Sequence, residues 1–192
     1  AVNHFTWLKS AYYKNIDLVP VYREFVEKYA ETGYDEGHSD ANWVTSVDYT
    51  TQRVKFDLFR RYGYIAAAGD RHLAEFCEGK WYLKDPETVQ EWGFALTGVK
   101  WRKEGLKGRL EKSENLRNGK QEIVIKGTGE EGVTQIRAIL GLTQLITNVN
   151  MPNKGQIPNL PMGAVVETNA VFRDGSVTPV MAGEVPAAIY PL

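Results

Sequence analysis

Apolar residues recur at helical spacing in the first part of the chain. Val21, Phe25, Val26 and Tyr29 share one face of a predicted helix, and Pro20 stands at a plausible first helical position. A stripe of apolar side chains marks the side of a helix that packs on a core. The pattern therefore predicts an amphipathic helix soon after residue 20.

A second helix is predicted from about residue 48 to residue 62. Its apolar positions Val54, Leu58 and Phe59 point inward, and Gly63 follows them as a stop signal. A glycine just past a helix can take the left-handed conformation that closes the last turn. We expect the helix to end there.

Further along the chain, two helical regions of different character follow. Residues 84–120 are polar and end in Asn118-Gly119, a turn signal. Residues 32–42 have the composition of a loop or lid. An amphipathic helix is predicted over residues 130–146, with apolar positions at Val133, Ile136, Leu140 and Leu145.

Beyond Pro152 the spacing changes from helical to β-like. Asp174-Gly175 lies between two β-rich runs and is a hairpin signal. Residues 2–8 are patterned like another strand. The later runs are residues 164–166, 170–172 and 177–181. Together these elements predict an α+β fold with mixed helices and an antiparallel sheet.

Composition places the chain among globular proteins and excludes some partners. Its 192 residues, 43% hydrophobic and 24% charged, fit one domain with a core. The net charge of −1 argues against a nucleic-acid surface, and no apolar run indicates a membrane span. The single cysteine, Cys77, favours a reducing, cytoplasmic compartment. Because Ala1 to His4 read like the middle of a strand, we expect a piece of a longer protein.

Three polar clusters stand at the ends of predicted elements, where sites are commonly assembled. They are residues 3–7, residues 69–76 and residues 148–155, the last predicted as a polar turn after the apolar helix. In the second cluster, Asp70 is placed to cap the helix that it opens. A purely structural capping role therefore competes with a chemical one.

The segment Gly127 to Gly132 matches the dinucleotide-binding pattern G-x-G-x-x-G in letters only. Glu130 and Glu131 would set two negative charges where a pyrophosphate meets helix amides. No acidic residue follows at the spacing of a Rossmann unit, because Asn148 and Asn150 occupy that region. We expect no nucleotide at this loop.

The polar clusters carry a resemblance to a known family. Asn3-His4-Phe5-Thr6-Trp7, the stretch 61–72 and the late signature 150–161 resemble the C-terminal half of glycoside hydrolase family 4. The similarity covers essentially all 192 residues, and residues 67–76 are most similar to the α-galacturonidase branch. The resemblance implies that residues 1–192 form a substrate- and metal-binding domain, similar to the C-terminal domain of lactate/malate dehydrogenase-like enzymes.

The chemistry that this resemblance implies depends on NAD and a divalent metal such as Mn²⁺. NAD⁺ takes hydride from C3 of the sugar, a base removes the acidified C2 proton, and the metal holds the C2 and C3 oxygens. The C1–O bond is eliminated, water adds, and the redox steps reverse. The NAD-binding half and a cysteine metal ligand are expected to precede this chain. NAD is therefore not expected on the chain alone, which is expected to be inactive in isolation.

The resemblance assigns roles residue by residue. His4 falls on the metal-binding histidine. Asn3 beside it would be a hydrogen-bond partner of a substrate hydroxyl or of the metal shell. Asp70 aligns with a base proposed for part of the family. Tyr62 and Tyr64 compete with it, because other members use a tyrosine in the preceding aromatic stretch.

Recognition of a sugar carboxylate is predicted next to Asp70. Arg71, through a bidentate fork, or His72 would bind it. The alternative is a surface ion pair with Glu75 or Asp48. Asn150, in the late signature, is a further substrate-binding candidate.

Two other functions stay open from the sequence. The isolated chain fits a non-catalytic dimerisation and sugar-binding module. The substrate domain of a 2-hydroxy-acid dehydrogenase would share the architecture, although Asn3-His4 and the 150–161 signature do not fit it. The enzyme is expected to bind a small carbohydrate and to form a homo-oligomer, without nucleic-acid or membrane partners.

Overall fold

The computed structural model describes residues 5–34, 49–124, 126–127 and 129–192. The chain divides into two compact units, Val2–Lys120 and Gln121–Pro191, called here the first and the second unit. Helices dominate the first unit, and the second contains a three-stranded antiparallel sheet. The predicted α+β class is confirmed.

The described part of the first unit has six helices and four two-residue strands. The helices are α1 (Leu18–Tyr29), α2 (Arg53–Tyr62), α3 (Asp70–Phe76), α4 (Gly79–Tyr82), α5 (Pro86–Trp92) and α6 (Val99–Arg117). The strands are β1 (Trp7–Leu8), β2 (Tyr12–Tyr13), β3 (Ile16–Asp17) and β4 (Ile65–Ala66). β1 pairs with β4 and β2 with β3, both antiparallel. No helix in this described part, or in that of the second unit, is long and apolar enough to cross a membrane.

Helix α1 begins two residues earlier than its proline indicated. Asp17 is the N-cap and accepts the Val19 N–H at 3.0 Å, so Pro20 is the third helical residue. Val26 is fully buried, as predicted, while Val21 is 55% exposed. Placing Val21 in the core was wrong, because the packed face of α1 is narrower than its apolar stripe.

Helix α2 is the central support of the first unit. It ends at Gly63, whose φ of 75° and N–H donated to the Phe59 carbonyl confirm the predicted stop. Val54, Leu58 and Phe59 are buried, also as predicted. The helix begins at Arg53 rather than near residue 48, and residue 48 lies outside the described residues.

An extended segment, residues 49–51, leads into α2 and is held by backbone hydrogen bonds. Thr51 donates to the Gly93 carbonyl at 2.9 Å, and Ala95 donates to the Tyr49 carbonyl at 2.9 Å. A Cβ added to Gly93 would lie 2.6 Å from the Thr51 hydroxyl oxygen. The approach of the two backbones therefore requires a glycine at position 93, where φ is 69°.

Most of the polar region at residues 84–120 is helical, as predicted, but residues 93–98 are not. Its helices are α5 and α6, and Gly119 has the positive φ of a turn, 68°. Asp85 caps α5 by accepting the Thr88 N–H at 2.8 Å. Helix α6 buries none of its residues.

The second unit packs helix α7 (Gly132–Ile139) on a sheet of three strands. These are β5 (Leu145–Pro152), β6 (Val165–Arg173) and β7 (Ser176–Pro179), in the order β5-β6-β7. Asp174-Gly175, with φ of 44° and 76°, forms the predicted hairpin between β6 and β7.

The long helix predicted over residues 130–146 is wrong in its second half. Gly141, at φ 75°, follows the end of α7, and Leu145 already belongs to strand β5. Leu145 is the first residue of a strand and only happens to stand at helical spacing from the apolar residues before it. A single apolar position does not distinguish a helix from a strand. Val133, Ile136 and Leu140 are exposed by 72%, 59% and 67%, and Ala138 is the buried residue of α7.

The predicted polar turn at residues 148–155 is also corrected. Asn148 and Asn150 lie within β5, opposite Asn169 and Glu167 of β6. Alternation places both asparagines on the exposed sheet face, while Met151 is buried. The turn itself starts only at Asn153.

We expect Gly93→Ala to destabilise the protein and to displace the 49–51 segment. The change combines a left-handed φ with overpacking against Thr51, for a cost of roughly 2–4 kcal/mol. Gly63→Ala is the matched control: its φ is also positive, at 75°, but an added Cβ meets nothing within 4 Å. Chemical denaturation should show a cost of about 1–2 kcal/mol for the control. Equal costs for the two variants would contradict the close approach.

Candidate functional site

A small pocket opens at the start of α3 in the first unit. Asp70, Arg71 and His72, three residues of the polar cluster at residues 69–76, line it together. Its volume is about 130 Å³. The remaining lining residues are Tyr49, Thr50, Gly69 and Ala95. The 49–51 segment thus forms the wall that faces the first turn of α3.

Asp70 is a helix cap, but of a different helix from the predicted one. The N-cap of α3 is Gly69, and Asp70 is the first residue of that helix. Its Oδ1 accepts the backbone N–H of Lys55, the third residue of α2, at 3.0 Å. Gln52, at the N-cap position of α2, makes no capping hydrogen bond with its side chain. Asp70 therefore supplies a cap that the local sequence of α2 lacks.

Burial dominates the electrostatics of Asp70. The residue is 0% exposed, and desolvation raises its pKa to about 6. The Lys55 N–H, the neighbouring Thr50 hydroxyl and the Lys55 charge act in the opposite direction. Among the described residues, the second oxygen, Oδ2, has no hydrogen-bond partner. The carboxylate is thus ionised at neutral pH, and one oxygen remains to accept a proton.

Arg71 brings a guanidinium group and His72 an imidazole to the same pocket. Both side chains are half-buried. The predicted alternative was an ion pair with Glu75. His72 Nδ1 lies 4.0 Å from Glu75 Oε2, a long separation for such a pair. Asp48, the other alternative partner, lies outside the described residues. A ligand carboxylate in the pocket would meet the fixed charge of Arg71.

The two competing tyrosines do not line this pocket. The Tyr62 ring makes an edge contact with Trp7 at 6.0 Å, and burial, with a smaller effect from Cys77, raises the Tyr62 pKa. Tyr64 is half-buried. Of the three candidate bases, Asp70 alone lines this pocket.

Three predicted site residues remain, Asn3, His4 and Asn150. Asn3 and His4 lie outside the described residues. Asn150 belongs to the second unit, where it is exposed on β5. The described residues contain no group of three or more His, Cys, Asp or Glu side chains suited to a metal ion. Burial raises the pKa of Cys77 to about 11, which does not favour a metal thiolate.

Sequence reasoning missed Tyr49, Thr50 and Ala95 as pocket residues. Thr50 pairs with Phe94 in a β-bridge, and this long-range pairing brings its segment beside α3. No local motif marks such a pairing. Gly93 is a weak signal in the sequence, because a glycine is needed where the 49–51 segment approaches its backbone closely.

The late signature contains a loop ordered by buried amides. Asn153 is 1% exposed; its Nδ2 donates to the carbonyls of Ile157 and Leu160, both at 2.9 Å. Its Oδ1 accepts the N–H groups of Gly155 and Ile157 at 3.1 and 3.2 Å. Asn159 binds the backbone of Val185 through both its amide atoms. These asparagines therefore shape the loop, and that explains much of the signature without a ligand.

The glycine pattern before α7 carries negative charge at the helix start. Glu131 is the N-cap residue, and its carboxylate accepts the hydroxyl of Thr147. A carboxylate at this place opposes a phosphate. The expectation that this loop binds no nucleotide stays a prediction.

Comparison with known families decides the affiliation of the chain. The model of the family described as "Family 4 glycosyl hydrolase C-terminal domain" matches residues 2–192. The chain belongs to this family. The resemblance in the polar clusters is thereby confirmed, and a 2-hydroxy-acid dehydrogenase is no longer needed to explain the architecture.

Several relatives of this family 4 domain are α-galacturonidases. The chain is 59% identical over 185 residues to the α-galacturonidase of Thermoanaerobacterium saccharolyticum, covering 96% of this chain and 40% of the relative. It is 48% identical over 189 residues to the α-galacturonidase of Bacillus subtilis, covering 98% and 41%. The chain thus spans about two fifths of the length of these relatives.

Solved structures agree with the fold. A Bacillus subtilis protein crystallised under the name lplD superposes with a TM-score of 0.81 at 48% identity, covering 96% of this chain and 41% of that one. The 6-phospho-β-glucosidase of Thermotoga maritima, solved with manganese, NAD⁺ and glucose-6-phosphate, gives a TM-score of 0.54 at 16% identity, covering 96% and 37%. At that identity the second likeness shows the fold alone.

We expect Asp70→Asn to stabilise the protein at neutral pH. The folded pKa of about 6 exceeds the ordinary value, 3.8, so the ionised carboxylate opposes folding. Below pH 4 the burial of Asp70 does not lower the free energy of unfolding. As pH rises to 6 the ionising carboxylate lowers it increasingly, by at most about 3 kcal/mol. The advantage of Asp70→Asn over wild type, measured by denaturation, should grow between pH 4 and 6 and then level off. Glu24→Gln, an exchange of the same kind at an exposed position, is the matched control.

Proposed function

We propose that this chain is the C-terminal substrate- and metal-binding part of an NAD- and divalent-metal-dependent α-galacturonidase. The observation that carries the proposal is the 48–59% identity to four α-galacturonidases across 96–100% of the chain. The α-galactosidase of Bacillus subtilis is 26% identical over 196 residues. The higher identity to the α-galacturonidases than to the α-galactosidase favours a uronide over a neutral sugar as the substrate.

Within this function, Asp70 is the base that removes the C2 proton of the sugar. A general base needs a pKa near the working pH and a free oxygen within reach of the substrate. Asp70 has a pKa of about 6, lines the pocket and has an unpaired Oδ2. Its other oxygen is fixed by the Lys55 N–H at 3.0 Å, which holds the carboxylate in one orientation.

Arg71 is the recognition residue for the substrate carboxylate. A guanidinium binds a carboxylate through two parallel hydrogen bonds, a geometry that a hydroxymethyl group cannot use. His72 lines the same pocket and adds a second donor. The neighbouring Asp70 would repel the uronate, so Arg71 also offsets that repulsion.

The cofactors belong to the complete protein. NAD⁺ supplies the hydride acceptor and a divalent metal such as Mn²⁺ supplies charge stabilisation when both are bound. The described residues alone offer no group of three or more His, Cys, Asp or Glu side chains for a metal. This chain would contribute His4 to the metal and Asn3 and Asn150 to the sugar, as the resemblance implies.

The complete protein is further proposed to be a cytoplasmic homo-oligomer. The side chains of α6 support an interface, because Val99, Trp101, Leu106 and Leu110 are exposed by 69%, 52%, 49% and 61%. The buried free thiol of Cys77 agrees with a reducing compartment.

We expect Asp70→Asn in the complete protein to lower kcat by about two to four powers of ten, the usual contribution of a positioned base. Wild-type kcat/KM should fall below pH 6, because protonated Asp70 cannot accept the C2 proton. With substrate in D₂O, wild type should incorporate deuterium at C2 of the product. Asp70→Asn should slow this exchange by the same factor as kcat. Normal exchange in Asp70→Asn together with a loss in Tyr62→Phe or Tyr64→Phe would assign the base to that tyrosine.

We expect wild type to hydrolyse a chromogenic α-galacturonide far faster than the corresponding α-galactoside. Arg71→Met should lower kcat/KM for the galacturonide by roughly 10- to 100-fold, the cost of one charged hydrogen-bonded pair. Activity on the galactoside should change little, because that sugar has no carboxylate. A wild type that prefers the galactoside would overturn the proposed substrate. An Arg71→Met variant with unchanged preference would overturn only the role of Arg71.

A further inference from the structure

Two side chains from outside α2 accept backbone N–H groups at the start of that helix. Asp70, on α3, accepts the N–H of Lys55, the third helical residue, at 3.0 Å. Thr50, in the 49–51 segment, accepts the N–H of Gln52, the N-cap residue, at 3.4 Å through its Oγ1. A capping box satisfies the same two N–H groups with side chains of the helix itself. Here the two acceptors come from other elements, and both lie over the first turn of α2.

Thr50 and Asp70 are neighbours at that turn. Both line the pocket of about 130 Å³, and the Thr50 side chain forms a hydrogen bond with the Asp70 carboxylate. An ionised carboxylate can only accept hydrogen bonds, whereas a hydroxyl has one proton to donate. The Thr50 oxygen already accepts the Gln52 N–H, so its proton remains for the carboxylate. Thr50 is therefore the donor of this hydrogen bond.

The carboxylate of Asp70 uses its two oxygens differently. Oδ2 has no hydrogen-bond partner among the described residues, so the Thr50 hydroxyl and the Lys55 N–H both serve Oδ1. One carboxylate oxygen has two lone pairs and can accept both donors. Two donors from different elements oppose rotation of the carboxylate and leave Oδ2 to take up a proton.

The position of Thr50 is fixed by its backbone. It pairs with Phe94 in an antiparallel β-bridge. The residues on either side of Thr50 make backbone hydrogen bonds of 2.9 Å with Gly93 and Ala95. A hydroxyl on a segment that is paired in this way keeps its place while Asp70 gains or loses a proton. A residue that positions a reactive group needs such support.

Other charged or titratable groups in the described part of the chain also surround Asp70. They are Lys55 on α2, Arg71 and His72 on α3, Tyr49 in the 49–51 segment, and Tyr22 on α1. A substitution of Thr50 leaves all of them in place. A change in the titration of Asp70 in such a variant therefore reports on the Thr50 hydroxyl.

We propose that Thr50 is a positioning residue for Asp70, its hydroxyl donating to Oδ1 and holding Oδ2 ready to accept a proton. The hydrogen bond also favours the ionised, basic form of the carboxylate against the effect of burial. Its catalytic consequence rests on the proposed function, in which Asp70 is the base. The hydrogen bond itself does not depend on that function.

The test is Thr50→Val in the complete protein, which replaces the hydroxyl by a methyl group of similar size. Loss of one hydrogen bond to a carboxylate should move the acidic limb of kcat/KM upward by about one pH unit. Thr50→Ser keeps a hydroxyl and should leave the limb in place. The matched control is Thr51→Val, because the Thr51 hydroxyl donates to the Trp92 carbonyl at 3.1 Å instead of to Asp70. This control should not move the limb either.

A second measurement is independent of turnover. Each variant is compared with the same variant carrying Asp70→Asn, and the difference in unfolding temperature within each pair is followed against pH. Other titrating groups are common to both members, so the difference isolates Asp70. With Thr50 intact, the destabilisation by Asp70 should grow until pH passes its folded pKa of about 6. In Thr50→Val, and in the smaller Thr50→Ala, it should continue to grow for about one further pH unit.

The outcomes separate the two proposals. An unchanged profile of these differences in Thr50→Val and Thr50→Ala overturns the positioning role, whatever the activity does. A shifted profile, combined with full activity of Asp70→Asn, upholds the hydrogen bond and overturns Asp70 as the base. An equal shift in Thr51→Val would reveal a general loosening of the 49–51 segment and would also overturn the proposal.

Discussion

The first unit depends on one interaction, the capping of α2 by the carboxylate of Asp70. Helix α2 starts after Gln52, which adopts a left-handed conformation and provides no side-chain cap. Asp70 lies 15 residues after Lys55 in the chain and accepts the Lys55 N–H at 3.0 Å. The bond ties the start of α3 to the start of α2, and the pocket opens at the start of α3. Because the acceptor is fully buried, the bond also brings a charge into a place with little water.

This arrangement gives Asp70 a structural role that is compatible with the chemical role proposed for it. The helix N-terminus stabilises the ionised form, while desolvation destabilises it by more, and the pKa of about 6 is the net result. One oxygen serves the fold and the other has no partner among the described residues. A carboxylate used only as a cap would stabilise the fold more at a solvent-exposed site, because its charge would stay hydrated there. The burial of Asp70 opposes folding at neutral pH, and such a cost is typical of residues kept for reactivity.

Local signals predicted those parts of the fold that are determined locally. Gly63 ends α2 and Asp174-Gly175 forms the hairpin because both depend on a positive φ at a fixed place. The helix beyond Gly141 was wrong, since apolar spacing alone does not distinguish a helix from an inward strand position. The target of the Asp70 cap was missed for a different reason. Capping patterns describe neighbours in sequence, whereas Lys55 meets Asp70 only through the packing of α2 on α3.

The same division applies to the candidate site. The sequence identified Asp70, Arg71 and His72, which share one pocket, because three functional groups in consecutive positions at a helix start must lie close together. It did not identify Thr50 or Ala95, because these arrive through a β-bridge and a backbone contact that leave no motif. The asparagines of the late signature show the opposite case. Asn153 and Asn159 are prominent in the sequence, yet their amides are used by the backbone of their own unit. A polar residue in a family signature is therefore evidence for a ligand only after its hydrogen bonds within the fold have been counted.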